Sequence, residues 1–478
     1  MTTNNGHNDF ENKVKTSFGE VCINKGLFLD SGLISRSIPT FVAEWILDRF
    51  SPDGVLTDEI QEKINQFISN HLPRKDQKEV IKNRLAQGDN LTLLDHFSVF
   101  VDLRSNTRQV MIPCIDEWGH ISDNLVENYP NLLGGGIWGA GKLVYYPPDP
   151  EVKGSQGEIW LKDFKPMQVA KLDIGYYCEE RAQFTLDEWR ELLVTSMGSN
   201  PNVYTPRQQQ LLLTRLIPIV QGRVNLIELA PKGTGKSFVF QNLSRYVRVL
   251  SGGKVTAAVL FYNLASQTPG LLTQYDIIVF DEAQTISFDN PGEVIGILKD
   301  YLESGRYTRG NKSVTEDTGV VLLGNIPLDS TGRPSQAVLF YNLPHFLQET
   351  ALIDRLHGIL PGWEIPRVTV DTPARGVGFK ADFFGEVLHA LREHPGGYDE
   401  YVAAHLKLHG TEDMRDKKAV QRLATGYLKL LFPNLKPSPE EFQKYCVEPS
   451  VELRQVIRDQ LSKLDPEYSI LKIRGEAI

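Results

Sequence analysis

The chain has 478 residues, too many for one ordinary core, so two or three domains are expected. Apolar residues make up 41% and charged residues 23%, the balance of a globular protein, and no apolar run reaches the roughly 18 residues a membrane span needs. A net charge of −9 excludes a protein that coats nucleic acid through bulk positive charge, and leaves locally basic clusters as the only route to such a partner.

Residues 1–20 are polar, lack the charged-then-apolar order of a secretion signal, and read as a flexible lead-in, with cytoplasmic residence as the expectation. Cys22, Cys114, Cys178 and Cys446 never fall at metal-ligand or paired spacing, so neither a zinc site nor a disulfide framework is expected. Apolar residues recur at helical spacing over Arg36–Phe50 and again over Ile60–Arg84. Between about Leu91 and Tyr177 the texture changes to short β-rich runs split by turns such as Gly134–Gly136 and Pro147–Pro150. A small barrel or sandwich suits that pattern. Helical spacing returns at Thr185–Met197, and Gly198–Pro201 marks a boundary.

After that break the chain alternates. Arg207–Ile219 reads as helix, Val224–Leu229 as a buried strand and Lys236–Leu250 as helix. Ala257–Tyr262 and Ile277–Phe280 read as strands, Glu293–Glu303 as helix and Val320–Leu323 as strand. Continuous apolar strands in this order predict an α/β fold, a parallel sheet with helices on both faces. From Phe379 onward everything reads as helix, broken by Pro433 and Pro437. The expected division is a flexible 1–20, an N-terminal α+β domain over 21–198, a nucleotide-binding core over 199–378, a helical lid over 379–435 and a helical tail over 436–478.

The segment Ala230-Pro231-Lys232-Gly233-Thr234-Gly235-Lys236-Ser237 follows the first of these strands and opens a helix, the setting of a phosphate-binding loop. Its glycines let backbone N–H groups wrap a phosphate, and the helix start adds a favourable dipole. Lys236 is then the residue for the β and γ phosphates of ATP, and the Ser237 hydroxyl a ligand for Mg²⁺. Ala230 stands where the motif has its first glycine, which alters the entry turn more than the cradle. The strand Ile277–Phe280 ends in Asp281-Glu282: Asp281 suits Mg²⁺ through its water shell, and Glu282 suits orienting and deprotonating the attacking water. The strand Val320–Leu323 ends in Gly324-Asn325, whose amide is a candidate for the water or the γ phosphate, a plain Gly-Asn turn being the alternative.

On these motifs the sequence resembles AAA+ ATPases and, among them, the MCM-like branch. The resemblance gives Asn325 the sensor-1 position and makes Arg355, in Leu352-Ile353-Asp354-Arg355-Leu356-His357, the candidate arginine finger for a neighbouring subunit. It makes Arg415 the candidate sensor-2 arginine, with Arg422 its rival. The segments 36–50, 232–244, 252–263, 275–283, 298–310 and 354–364 are more closely similar to the Lon-like proteins of the BREX phage-resistance system, the BrxL type, a resemblance running from about 18 to 435. It implies an N-terminal DNA-interacting domain with an OB-like β part, an MCM-like core, a hexameric ring or stacked rings, and DNA (duplex first) with other phage-defence proteins as partners. The implied function is a ring-forming, DNA-dependent ATP hydrolase that encircles and translocates along DNA in anti-phage defence.

In such motors a hairpin before sensor 1 meets the DNA backbone, which makes Arg306, Arg309 and Lys312, set among glycines, the candidate phosphate contacts. Phe261 and Tyr262 compete as pore aromatics of a protein-remodelling ATPase serving a separate peptidase, or simply finish a strand. An ATP-gated clamp or scaffold is the third reading. Full-length members carry a C-terminal Lon-protease-like domain. This chain has no room for one after its lid and no serine-nucleophile motif, so a short form without peptidase activity is expected.

Overall fold

The computed structural model describes residues 3–33, 38–103, 105–133, 136–167 and 172–478. The expected turn at Gly134-Gly135 and the helix start at Arg36-Ser37 lie outside them. Two compact units are present, Leu27–Leu172 and a larger one made of Met1–Gly26 with Asp173–Ile478. The first strand, β1 (Cys22–Asn24), belongs to the larger unit.

In the smaller unit the helices Thr40–Phe50 and Asp58–His71 bury Val42, Ile46, Ile64 and Ile68, and Thr57 caps the second by accepting the Ile60 N–H. Five strands follow: β2 (Leu91–Asp102), β3 (Thr107–Ile112), β4 (Glu117–Ile121), β5 (Ile137–Tyr146) and β6 (Glu158–Pro166). They close into a barrel in the order β2-β3-β4-β6-β5, with β4 and β6 parallel and the other pairs antiparallel. Alternation fills the interior: Phe97, Val110, Ile112, Leu143, Leu161 and Phe164 are fully buried while their chain neighbours face outward.

The larger unit carries the expected parallel sheet. Its strands are β7 (Leu226–Ala230), β8 (Val247–Val255), β11 (Ile277–Phe288), β14 (Gly319–Asn325) and β15 (Gly358–Pro361), in the order β15-β7-β14-β11-β8. Two small hairpins interrupt the series: β9 (Tyr262–Asn263) with β10 (Thr268–Pro269), and β12 (Arg306–Arg309) with β13 (Lys312–Thr315). β16 (Val377–Phe379) pairs with β1, and β17 (Leu406–His409) with β18 (Arg474–Ala477). Every residue of β7 is buried, as a central strand covered on both faces requires. Among the described residues no helix is long and apolar enough to cross a membrane.

Four readings are corrected. Residues 3–18 are a helix, because Phe10, Val14 and Phe18 recur every fourth residue and all three are buried. The helix from Lys236 stops at Asn242, and Val247–Val255 is an edge strand whose Gly252 and Gly253 hold positive φ angles that a helix cannot use. Ala257–Leu260 is a helical turn capped by Thr256, with only Tyr262–Asn263 extended. The stretch after Phe379 is helical except for the ribbon of β17 with β18, and its long helix Glu448–Leu464 buries Ile457 and Leu461 in the core of the sheet.

Candidate nucleotide site

The phosphate loop leaves the C-terminal end of β7 and runs into the helix Lys236–Asn242. Gly233 and Gly235 both hold left-handed φ angles, +83° and +71°, so the turn depends on residues without a Cβ. Lys236 folds back over it and is buried. Its ammonium donates to Asn325 Oδ1 at 3.0 Å and to the Pro231 carbonyl at 3.3 Å. Burial holds its pKa below the usual lysine range, with Glu228 the main opposing influence. Asn325 ends β14 in register with Ala230, and its own N–H donates to Gln284 Oε1 at 3.3 Å. Lys236 and Asn325, candidates from separate motifs, therefore meet directly.

Asp281 and Glu282 lie where β11 is distorted. The β8 register shifts between Asp281 and Ile286, so several residues of β11 face a single turn of its neighbour. Such bulges re-aim side chains beside sites. Glu282 sits there at φ +53°, a left-handed conformation costing a non-glycine residue about 1–3 kcal/mol. It is exposed, its carboxylate lying toward Gly252, while Asp281 is half-buried and accepts the Glu282 N–H at 2.9 Å. Ser237 is half-buried in the first helical turn. The hydroxyl of Ser237 and the carboxylate of Asp281 offer oxygen donors only, a chemistry that fits Mg²⁺ better than a softer metal. An open cleft of about 700 Å³ runs beside this group and is lined by Lys232, Gln284, Asn325, Asn342 and Arg367.

Two supports of the loop escaped the sequence reading. Arg215 donates to both carboxylate oxygens of Glu228, at 3.0 and 2.7 Å, and also to the Thr234 carbonyl, the whole group being buried. A charge of each sign, set alone in the apolar runs LLLTRLIPIV and LIELA, was the available signal. The second support is Gly362. A Cβ there would stand 2.6 Å from the Ala230 Cβ and 2.8 Å from Glu228 Oε1. The methyl that replaces the loop's first glycine is thus accommodated by a glycine on the adjoining turn. Gly362→Ala is expected to lower the melting temperature and weaken ATP-analogue binding about tenfold, at an overpacking cost of about 1–3 kcal/mol. Adding Ala230→Gly should restore part of both, the contact with Glu228 remaining; thermal melts and fluorescent-nucleotide titrations showing no change in the single variant would dispose of this account.

The other candidates lie elsewhere. Arg355 precedes Gly358, which pairs with Leu226 at the start of β7, whereas the phosphate loop leaves that strand's other end. Arg355 and Arg415 share Glu303, at 3.4 and 2.7 Å, and Arg415 also bridges to Asp354 at 2.7 Å. Arg422 lines, with Arg355 and Arg415, a small pocket separate from the cleft beside the phosphate loop, and its pKa is lowered to about 10 by burial and by Arg223. Arg454, from the long C-terminal helix, is buried between Asp354 and Asp416 and anchors this group. On the β12–β13 hairpin, Arg306 and Lys312 are exposed. Arg309 is not free: it pairs with Glu293 at 2.9 Å and donates to the Tyr262 carbonyl. Phe261 and Tyr262 are buried, with Phe261 packed on Tyr307, so neither presents its ring to solvent.

A parallel sheet with a phosphate loop, a lysine–asparagine contact and paired carboxylates at its strand ends defines an α/β core of the ATPase class. The chain belongs to the BrxL family of the BREX system: residues 159–473 match the family "Lon-like protease BrxL-like, ATPase domain" and residues 16–145 match "BREX system Lon protease-like protein BrxL N-terminal". It is similar to the Lon-like protease BrxL of Bacillus cereus (strain H3081.97), with 30% identity over 437 residues, which is 90% of this chain and 63% of the relative. It is also similar to the Lon-like protease BrxL of Escherichia coli O9:H4 (strain HS), with 29% identity over 432 residues, 90% of this chain and 61% of the relative. The chain thus spans less than two thirds of the length of either relative.

Proposed function

We propose that the chain is an AAA+-type, MCM-like ATP hydrolase that assembles as a ring around DNA in BREX defence in the cytoplasm. The observation that carries this reading is the contact of Lys236 with Asn325, beside Asp281 and Glu282, while Arg355 and Arg415 gather at the opposite end of the strands. Arginines so far from their own chain's phosphate loop suit a neighbouring subunit's site, as in a closed ring of identical subunits. In each site the backbone of Ala230–Ser237 cradles the phosphates and Lys236 offsets their charge. Glu282 accepts a proton from the water whose oxygen attacks the γ phosphorus, Asn325 orients that water, and the bond to the bridging oxygen breaks to give ADP and phosphate. Ser237 and Asp281 would hold Mg²⁺, which would supply positive charge against the phosphates.

Arg306 and Lys312, exposed on their hairpin, suit contact with DNA phosphates, and Arg309 suits holding that hairpin to Glu293 and Tyr262. The barrel order β2-β3-β4-β6-β5, with its one parallel closure, supports an OB-type N-terminal part. ATP turnover by the purified chain should rise with duplex DNA, and that rise should vanish in the Arg306→Ala/Lys312→Ala variant while basal turnover stays. Arg309→Ala should also lower the melting temperature. Stimulation by unfolded protein alone would replace this reading with a protein-remodelling ATPase.

A further inference from the structure

The outer face of the barrel carries side chains that a solvated wall does not need. One register row crosses all five strands: Phe100 on β2 pairs with Gln109 on β3, Gln109 with His120 on β4, His120 with Trp160 on β6 and Trp160 with Val144 on β5. Because side chains alternate, residues two positions along share that face, which adds Trp118, Tyr146 and Lys162. Phe100 is 56% exposed and Trp118 48%, and their rings meet edge to face with centroids 4.9 Å apart. His120 and Trp160 stack at 5.2 Å and 25°. The Lys162 ammonium stands 4.4 Å from the Trp160 ring centre and 4.9 Å from that of Tyr146.

The charges on this face differ from those elsewhere in the unit. Lys78, Lys82, Arg84 and Arg108 each pair with a carboxylate, Asp116, Glu117, Asp89 and Asp123 in turn. Lys142, Lys162 and Lys165 on β5 and β6 are exposed, and none forms an ion pair with a described residue. The carboxylate of Glu158 is engaged by the Trp160 indole N–H at 2.9 Å, and that of Asp163 by the Phe164 N–H at 2.9 Å. Flat rings in a row, backed by unpaired ammonium groups, are the chemistry that holds unstacked nucleobases and their phosphates. A duplex hides its base faces within its own stack and offers this row nothing to stack on. The cluster shares no residue with the phosphate loop or the β12–β13 hairpin.

We infer that the β2-β3-β4-β6-β5 face of the barrel binds single-stranded nucleic acid by base stacking on Trp118, Trp160 and Phe100, with Lys162 and Lys142 on the phosphates. The inference goes beyond the duplex-encircling motor, and neither depends on the other.

The test is fluorescence anisotropy of the full chain with a labelled oligothymidine about 16 nucleotides long. Wild type should bind it, quench its own tryptophan fluorescence, and weaken as salt rises. Trp118→Ala and Trp160→Ala should each lose about tenfold in affinity, and Trp160→Phe should recover most of it. Both tryptophans lie outside the barrel core, and unchanged basal ATP turnover together with unchanged melting would certify the fold. Arg306→Ala/Lys312→Ala should retain the tryptophan quenching, which separates failure of the hairpin reading from failure of this one. Wild-type affinity in both tryptophan-to-alanine variants would overturn the inference. So would equal quenching by a duplex of the same length, or quenching by an unfolded protein with none by the oligonucleotide.

Discussion

Glu282→Gln is expected to bind ATP as tightly as wild type while turning it over about 10²–10⁴-fold more slowly. The amide keeps the size and reach of the carboxylate, so the Lys236–Asn325 contact and the Asp281 carboxylate should stay where they are. What is lost is the proposed base. The backbone makes the prediction sharper, because Glu282 is held at φ +53° on a distorted strand, a conformation that glycine adopts freely. Glu282→Gly should therefore lose turnover as well, yet melt no lower than wild type. Such a stability–activity trade is expected where strain serves a site. Nucleotide titration, steady-state turnover and thermal melts of the two variants decide the matter. Turnover near the wild-type rate in Glu282→Gln would remove this residue from the chemistry. A clear drop in the melting temperature of Glu282→Gly would show that the left-handed turn is not strained.

The parts of the site that could be read in the sequence share one physical property: they end fully buried parallel strands. Ile277–Phe280 and Val320–Leu323 are unbroken apolar runs and Leu226–Ala230 is interrupted only by Glu228, so the loop, the carboxylates and Asn325 at their ends stand out. The edge strand Val247–Val255 is half-exposed and carries two glycines, which blurs both its alternation and its length. β15 has only four residues and so gives no periodic signal. The hairpin at Arg306–Lys312 was legible from its basic residues set among glycines, but the role of Arg309 was not. Its partner Glu293 lies on the preceding helix, and which of several acids claims an arginine is settled by packing. Arg215 with Glu228 is the opposite case, since two opposite charges stranded in apolar runs predict each other. The helix at Thr3–Phe18 was hidden by polar composition although its apolar spacing was present.

Arg355→Ala is expected to reduce turnover about 10³-fold or more while leaving nucleotide binding intact, the loss typical of an arginine finger. The same guanidinium could instead be structural. Its Nη1 donates to the Ala351 carbonyl and its Nε lies 3.4 Å from Glu303, so it contributes to packing in its own chain. Position separates the two roles. Arg355 sits at the N-terminal end of the β7–β15 pair and the phosphate loop at the other, so a direct contribution to catalysis would be made in the site of a neighbouring subunit of the proposed ring. Mixing inactive subunits therefore distinguishes them. A ring assembled from Lys236→Ala and Arg355→Ala chains contains some interfaces in which an intact phosphate loop faces an intact Arg355. Turnover should reappear on mixing, with its maximum near equal proportions. A structural Arg355 gives no such recovery, because each chain would carry its own defect into every site it helps to form. Failure of the mixture to hydrolyse ATP, with mixed rings demonstrated by differential labelling, would leave Arg355 a packing residue and send the search for the trans charge to Arg415 and Arg422, which line the same small pocket as Arg355.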